Sequence, residues 1–111
     1  MWEDIEQAIK EYKKCVEEYK NYNKDYAKKE YLYRTALSKK LVELRASGEK
    51  VTNLADIARG IPEIAKLRFD RDIAEGLKKS AEEGINFYKH DIRVLEGQLN
   101  REWSSGKITI L

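Results

Sequence analysis

The feature that most constrains this chain is its first stretch, residues 3–46, which contains no glycine or proline. Apolar side chains recur along it every three or four residues. The first series, at a spacing of seven residues, is Ile5, Tyr12, Tyr19, Tyr26 and Tyr33. The second series, offset by four residues, is Ile9, Val16, Asn23, Glu30, Leu37 and Leu44. Two such series form the seam of a coiled-coil-like helix, so the sequence predicts one long helix over residues 3–46.

Glycine and proline mark the ends of the other predicted elements. Gly48 is suited to the left-handed exit from the first helix, and a short connector helix is predicted over residues 53–59. Pro62 stands where a further helix begins, because proline is favoured at the first helical position. A second seven-residue seam carries this helix over residues 62–103, and a tail is predicted over residues 104–111.

Two long helices joined by a short connector are predicted to fold as an antiparallel helical hairpin. The fold class is therefore all-α, a single helical-hairpin domain over residues 1–111. Matching the two seams predicts that Val16 faces Ile92 and that Glu30 faces Lys78 as a charged pair inside an apolar seam. Such a pair adds little stability but can fix the register of two helices.

Apolar side chains also occur away from the two seams. They are Tyr22, Tyr31, Leu32, Leu41 and Val42 on the first helix, and Phe69, Ile73, Leu77 and Phe87 on the second. A narrow two-helix seam is thin for independent stability, and this much apolar surface is unusual on a small monomer. We therefore expect a homodimer that packs as a four-helix bundle; the alternative is that this second face binds another protein.

Catalytic chemistry finds little support in the sequence. Cys15 and His90 are the only cysteine and histidine, so neither a disulfide nor a cysteine or histidine metal cluster is predicted. A solvated helical histidine is the favoured interpretation of His90. The sequence also contains no glycine-rich phosphate loop. We predict that the protein is not an enzyme and that it uses no metal and no cofactor.

No stretch approaches the length of apolar sequence that a membrane span requires, and the acidic start Glu3-Asp4 is unlike a signal peptide. A membrane partner is therefore not expected. The single cysteine is consistent with a reducing compartment. We predict a cytoplasmic protein of a bacterial host cell, where the bacterial origin depends on the resemblance described below.

Basic side chains are concentrated in one part of the first helix. Residues 1–18 carry three basic and six acidic side chains, whereas residues 19–50 carry nine basic and four acidic ones. Tyrosines among lysines could stack exposed bases, although core packing is the ordinary explanation for tyrosines on a seam. The candidate partner-binding residues are Tyr19, Tyr22, Lys24, Lys28, Lys29, Tyr31 and Arg34.

The connector has some features of a helix-turn-helix motif. Residues 51–60 followed by Pro62 place a small residue, Ala55, and a turn glycine, Gly60, at suitable positions. The helix that follows is too long for a recognition helix and is committed to the hairpin seam. We therefore favour a capped bend in which Val51, Leu54 and Ile57 close the end of the hairpin.

Four segments carry a resemblance to a group of small helical proteins encoded in phages and prophages of Gram-positive bacteria. The segments are residues 34–45, the Val-Thr-Asn-Leu-Ala-Asp-Ile-Ala-Arg-Gly turn at 51–60, residues 65–75 and the closing Arg101-Glu-Trp103. The resemblance covers residues 30–103. It implies that the protein binds and redirects host factors or assists phage DNA metabolism. It carries no functional residues over to this chain.

These observations lead to two hypotheses. The first is a non-enzymatic phage-type protein that binds and modulates a protein partner, including inhibition of a host or defence system in the manner of an anti-CRISPR protein. The alternative is a nucleic-acid-binding accessory protein of phage replication or recombination, with nucleic acid bound through residues 19–50.

Overall fold

A computed structural model describes residues 1–48 and 50–104, except for the side chain of Val51. Three α-helices account for most of these residues: α1 (Trp2–Ala46), α2 (Leu54–Gly60) and α3 (Pro62–Ser104). A single 3-10 turn (Val51–Asn53) precedes α2, and the described residues contain no β-strand. The all-α helical hairpin is confirmed, with α1 and α3 packed against each other. The predicted tail at Lys107–Leu111 lies outside the described residues.

The ends of the helices follow from local sequence. Glu3 and Asp4 lie in the first turn of α1 and Arg45 in its last, so side-chain charges oppose the helix dipole at both ends. Gly48 has φ +90°, the left-handed conformation that was predicted for it. Ile61 alone separates α2 from α3; its extended backbone, φ −67° and ψ 130°, lets Pro62 begin the next helix.

The structure contains two compact units, and α1 and α3 run through both. Unit 1 comprises Met1–Lys20 with α3 from Lys79 onward, and unit 2 comprises Asn21–Lys78. Among residues 1–48 and 50–104, the buried apolar residues are Ile5, Ala8 and Ala81 in unit 1 and Tyr33, Leu54, Ala58, Ile64 and Ala74 in unit 2. Four of these eight are alanines, so the described part of each unit has a small core. Both tryptophans, Trp2 and Trp103, lie in unit 1 and are 63% and 48% exposed.

Helix α2 contributes to the core of unit 2 through one narrow face. Leu54 is 2% exposed and Ala58, one turn later, is fully buried. Ile57 was expected to join Leu54 in closing the hairpin, but it is 43% exposed. This expectation was wrong because Ile57 and Ala58 are successive residues of α2 and project about 100° apart, so the side that buries Ala58 leaves Ile57 partly exposed.

The helices are antiparallel, but their register differs from the predicted one. Within unit 2, Arg71 Nη1 lies 3.4 Å from Glu30 Oε2, so Arg71 takes the place that was predicted for Lys78, seven residues later in α3. Lys78 Nζ instead lies 4.8 Å from the ring centroid of Tyr26. A seam that repeats every seven residues fits its partner equally well after a shift of one repeat, so specific side-chain contacts must select the register.

In unit 1 the register of α1 against α3 is shifted from the predicted one in the same direction. A β-carbon placed on Gly84 would lie 3.1 Å from Cys15 Sγ, so this glycine permits a close approach of the two helices. Val16, the next residue after Cys15, was predicted to face Ile92. The helix partner of this part of α1 therefore lies about two turns earlier in α3 than expected.

Candidate functional site

Three of the predicted partner-binding residues form one exposed strip on α1 in unit 2. Lys24, Lys28 and Tyr31 lie four and three residues apart, which places them on one face of the helix. All three are exposed, and Tyr31 is 67% exposed. Within residues 1–48 and 50–104, no acidic group lies within 4 Å of either lysine. We call these three residues the lysine–tyrosine strip.

The other predicted residues lie elsewhere, because successive residues of a helix project about 100° apart. Tyr22 and Lys29 are half-buried on a different side of α1, and Lys29 Nζ lies 3.2 Å from Asp25 Oδ1. Arg34 is exposed on the side of α1 that borders α2 and forms an ion pair with Glu30. Tyr19 is half-buried in unit 1. The structure thus brings together Lys24, Lys28 and Tyr31 and separates the remaining four.

A second surface of unit 2 is apolar. Phe69, Ile73 and Leu77 follow one another at four-residue spacing along α3 and are 57%, 49% and 43% exposed. Ile73 and Leu77 line a shallow groove of about 300 Å³, with Asp25 and Lys29 of α1 on its other side. Leu32, 40% exposed, lies three residues beyond Lys29 on the same side of α1. We call Leu32, Phe69, Ile73 and Leu77 the apolar face.

The third surface is a cleft of about 480 Å³ on the side of α1 and α3 where α2 lies. Four arginines line it, one from α1, one from α2 and two from α3: Arg34, Arg59, Arg68 and Arg71. Its other lining residues are Tyr33, Leu37 and Asp56. We call it the arginine cleft. Every residue that lines it belongs to unit 2.

Arg71 is the most firmly held of the four arginines. Its Nε and Nη2 lie 3.1 and 2.8 Å from Asp72 Oδ1, and its Nη1 lies 3.4 Å from Glu30 Oε2. The guanidinium carbon lies 4.6 Å from the ring centroid of the buried Tyr33, the geometry of a cation–π contact. Arg71 therefore has a fixed position that a ligand would not need to organise.

Glu30 connects two of the cleft arginines. The hydrogen bond that Arg34 donates to Glu30 holds the pKa of this carboxyl below its ordinary value of 4.5, and Arg71 acts in the same direction against the opposing effect of burial. A carboxyl whose pKa is lower in the folded than in the unfolded protein stabilises the fold above its unfolded pKa. This stabilisation is lost as the pH falls through the folded pKa.

Replacing Glu30 by glutamine should therefore change how stability depends on pH. We expect Glu30→Gln to cost about 1 kcal/mol at pH 7, since hydrogen bonds to charged groups are worth more than neutral ones but this site is partly exposed to solvent. The difference in unfolding free energy between variant and wild type should narrow as the pH falls below the ordinary carboxyl pKa of 4.5, because the wild-type carboxylate then becomes protonated. Urea denaturation at a series of pH values measures it.

Glu82→Gln is the matched control, because Glu82 is exposed on α3 in unit 1. Its substitution should change the free energy of unfolding by less than about 0.5 kcal/mol at every pH. Equal losses of unfolding free energy in the two variants would contradict the role of Glu30 between Arg34 and Arg71. A difference between Glu30→Gln and wild type that stays constant with pH would also contradict it.

Of the residues that line the arginine cleft, only Arg34 was among the predicted partner-binding residues. Arg68 and Arg71 of α3 are far from Arg34 in sequence and come close to it because α1 and α3 pack against each other; Arg59 joins them because α2 also borders the cleft. One signal was available: the helix-turn-helix-like arrangement around Gly60 places two helices close to each other, with Arg59 and Arg68 on either side of the turn.

The described part of the chain contains one cysteine and one histidine, Cys15 and His90, and both belong to unit 1. His90 is exposed on α3, and no three histidine, cysteine, aspartate or glutamate side chains among residues 1–48 and 50–104 are placed to hold a metal ion. Burial raises the pKa of the Cys15 thiol, and the nearby Glu18 and Glu11 raise it further. The thiol is therefore a neutral packing group rather than a nucleophile at neutral pH.

Comparison of the chain with protein-family models, with curated proteins and with solved structures found no match. In the described part of the chain, no helix combines the length and the apolar character needed to cross a membrane. Function therefore has to be inferred from the three surfaces of unit 2.

Proposed function

We propose that this chain is a non-enzymatic, phage-type interaction protein that binds and modulates a protein partner through the lysine–tyrosine strip. Inhibition of a host or defence system, in the manner of an anti-CRISPR protein, belongs to this proposal. The observation that carries it is the exposure of Tyr31 beside Lys24 and Lys28, neither of which has an acidic group within 4 Å among the described residues. Tyrosine is enriched at the energetic centres of protein interfaces.

The charge of the strip specifies the chemistry of the partner. Unit 2 carries thirteen lysine and arginine side chains against nine aspartate and glutamate, a net charge of +4, although the whole chain has only +2. Interfaces pair positive with negative potential, which accelerates association and excludes wrong partners. The partner surface is therefore acidic, with an apolar recess for the ring of Tyr31.

Tyr31→Ala tests this proposal, with Phe87→Ala as control because Phe87 is a similarly exposed aromatic residue in unit 1, 62% against 67%. Proteins are captured from a bacterial lysate with the wild type, with Tyr31→Ala and with Phe87→Ala. The captured protein is then purified and titrated against each of the three to measure its affinity. We expect Tyr31→Ala to weaken binding about thirtyfold, the loss typical of an interface hot spot. Phe87→Ala should bind as wild type does.

Two results would reject the strip as the docking surface: retention of wild-type affinity by Tyr31→Ala, or equal losses in both variants. Lys28→Glu provides a second measurement, because it reverses one charge at an exposed position. It should slow association with an acidic partner and reduce the dependence of the rate on salt.

The apolar face is assigned in this proposal to a second copy of the chain. The small core of unit 2 leaves Phe69, Ile73 and Leu77 about half-exposed, and such a row on a small protein indicates an interface. Identical apolar rows can pack on each other about a twofold axis and complete a four-helix bundle. Light scattering should give twice the mass of the 13.0 kDa chain, and Ile73→Lys should give the monomer. A wild-type monomer would reject the dimer.

Nucleic-acid binding is the second candidate function, favoured by the +4 charge of unit 2 and by the basic residues at 19–50. Contacts with phosphates release counterions, so affinity would fall steeply between about 50 and 200 mM salt. Retention on immobilised single- or double-stranded DNA at low salt, lost over this range, supports it. Absence of binding at low salt rejects it.

A further inference from the structure

We propose that the arginine cleft is a binding site for a phosphate group, separate from the lysine–tyrosine strip and from the apolar face. This goes beyond the proposed protein partner and does not depend on it. The cleft volume of about 480 Å³ lies within the range of small-molecule sites and exceeds what a phosphate ion alone would occupy. The ligand is therefore a phosphate carried by a nucleotide-sized group or by a nucleic-acid strand, with free phosphate as the minimal case.

The charge in the cleft is not balanced by the protein. Four guanidiniums line it, and the carboxylates that contact them are Glu30, Asp56 and Asp72. Arg68 has no acidic group within 4 Å among the described residues. Positive charges brought together from three helices repel one another, and an anion between them relieves this repulsion. One of the four positive charges remains unpaired after these three carboxylates are counted.

The donor geometry favours phosphate over carboxylate. A carboxylate presents two oxygens in one plane and is satisfied by a single guanidinium fork. A phosphate presents oxygens in tetrahedral directions and carries more charge, so it suits donors that arrive from different elements. Arg34, Arg59 and Arg68 come from α1, α2 and α3 respectively, whereas Arg71 is fixed against Tyr33 and Glu30.

The test compares the full-length wild type with the double variant Arg59→Gln/Arg68→Gln, and Arg93→Gln is the control because Arg93 is an exposed arginine of α3 in unit 1. Calorimetric titration at low salt uses three probes: inorganic phosphate, adenosine monophosphate and a short single-stranded oligonucleotide. For each probe that binds to the wild type, we expect the double variant to have at least tenfold lower affinity. Arg93→Gln should bind like wild type.

The probes separate the sources of the phosphate. Similar affinity for phosphate and the mononucleotide indicates a small ligand, and much tighter binding of the oligonucleotide indicates a strand; both support the site. The proposal is overturned if no probe binds, if the double variant binds undiminished, or if a polyglutamate peptide binds as tightly as the phosphate ligands. Circular dichroism must show that the variant is folded. The protein-partner proposal stands or falls separately, on Tyr31→Ala.

Discussion

Replacement of Leu54 by alanine is expected to cost about 3 kcal/mol of unfolding free energy, within the usual range for leucine in a core. Leu54 is 2% exposed and, with the fully buried Ala58, forms the only buried face of α2. Truncation would leave a cavity where α2 meets the core of unit 2. Because one side of the arginine cleft is formed by α2, phosphate binding should weaken together with stability.

Ile57→Ala is the control, three residues along the same helix. Ile57 is 43% exposed, so its truncation should cost less than about 1 kcal/mol. Urea denaturation followed by far-ultraviolet circular dichroism measures both variants, and hydrogen exchange at α2 detects local opening of this short helix. Similar costs for Leu54→Ala and Ile57→Ala would show that α2 does not pack as described.

The second large effect is expected at Gly84. A β-carbon there would lie 3.1 Å from Cys15 Sγ and 3.8 Å from Cys15 Cβ, tighter than side chains normally pack, so a leucine at this position forces the Cys15 side chain to shift. Overpacking of this kind costs about 1–3 kcal/mol, which exceeds the gain of about 1 kcal/mol from removing glycine from a helix. We therefore expect Gly84→Leu to destabilise the protein.

Gly76→Leu should instead increase the free energy of unfolding, because nothing lies within 4 Å of a β-carbon built on Gly76. It should raise stability by up to about 1 kcal/mol through helix propensity alone. Thermal denaturation at low protein concentration compares the two variants. Cys15→Ala should recover part of the loss in Gly84→Leu, since it removes the sulfur that the new side chain meets. Stabilisation by leucine at both positions would contradict the close approach at Gly84.

The helices were predictable from the sequence because few residues interrupt them. The absence of glycine and proline over residues 3–46, the left-handed Gly48 and the initiating Pro62 are all local signals, and local signals fix where a helix begins and ends. The structure begins α1 at Trp2, one residue before the predicted start, and ends α3 at Ser104, one residue after the predicted end.

The register was not predictable, for a physical reason. Apolar residues at seven-residue spacing offer several alignments of nearly equal burial, and the prediction chose the one that paired Glu30 with Lys78. Arg71 occupies the equivalent position one repeat earlier, where its guanidinium lies over the ring of Tyr33 and also reaches Glu30. A planar guanidinium can stack on a ring while its edge donates to a carboxylate.

The candidate site was predicted only in part. The sequence analysis treated Tyr19 to Arg34 as one candidate stretch, and within it Lys24, Lys28 and Tyr31 share one face of α1 because they lie within two turns of one helix. The arginine cleft depends instead on where α2 lies, and a helix of 7 residues carries too short a pattern to reveal which element it packs against. The sequence therefore does not indicate where the short helix α2 packs in the folded chain.

The positions of Trp2 and Trp103 have a consequence for all of these measurements. Both tryptophans belong to unit 1, and Asn21–Lys78 contains none, so indole emission reports on one unit alone. Circular dichroism, by contrast, senses helix in both. Melting curves from the two signals should coincide if the chain unfolds in a single cooperative step. In Leu54→Ala, a loss of ellipticity that precedes the change in emission would reveal that unit 2 melts first, without any label.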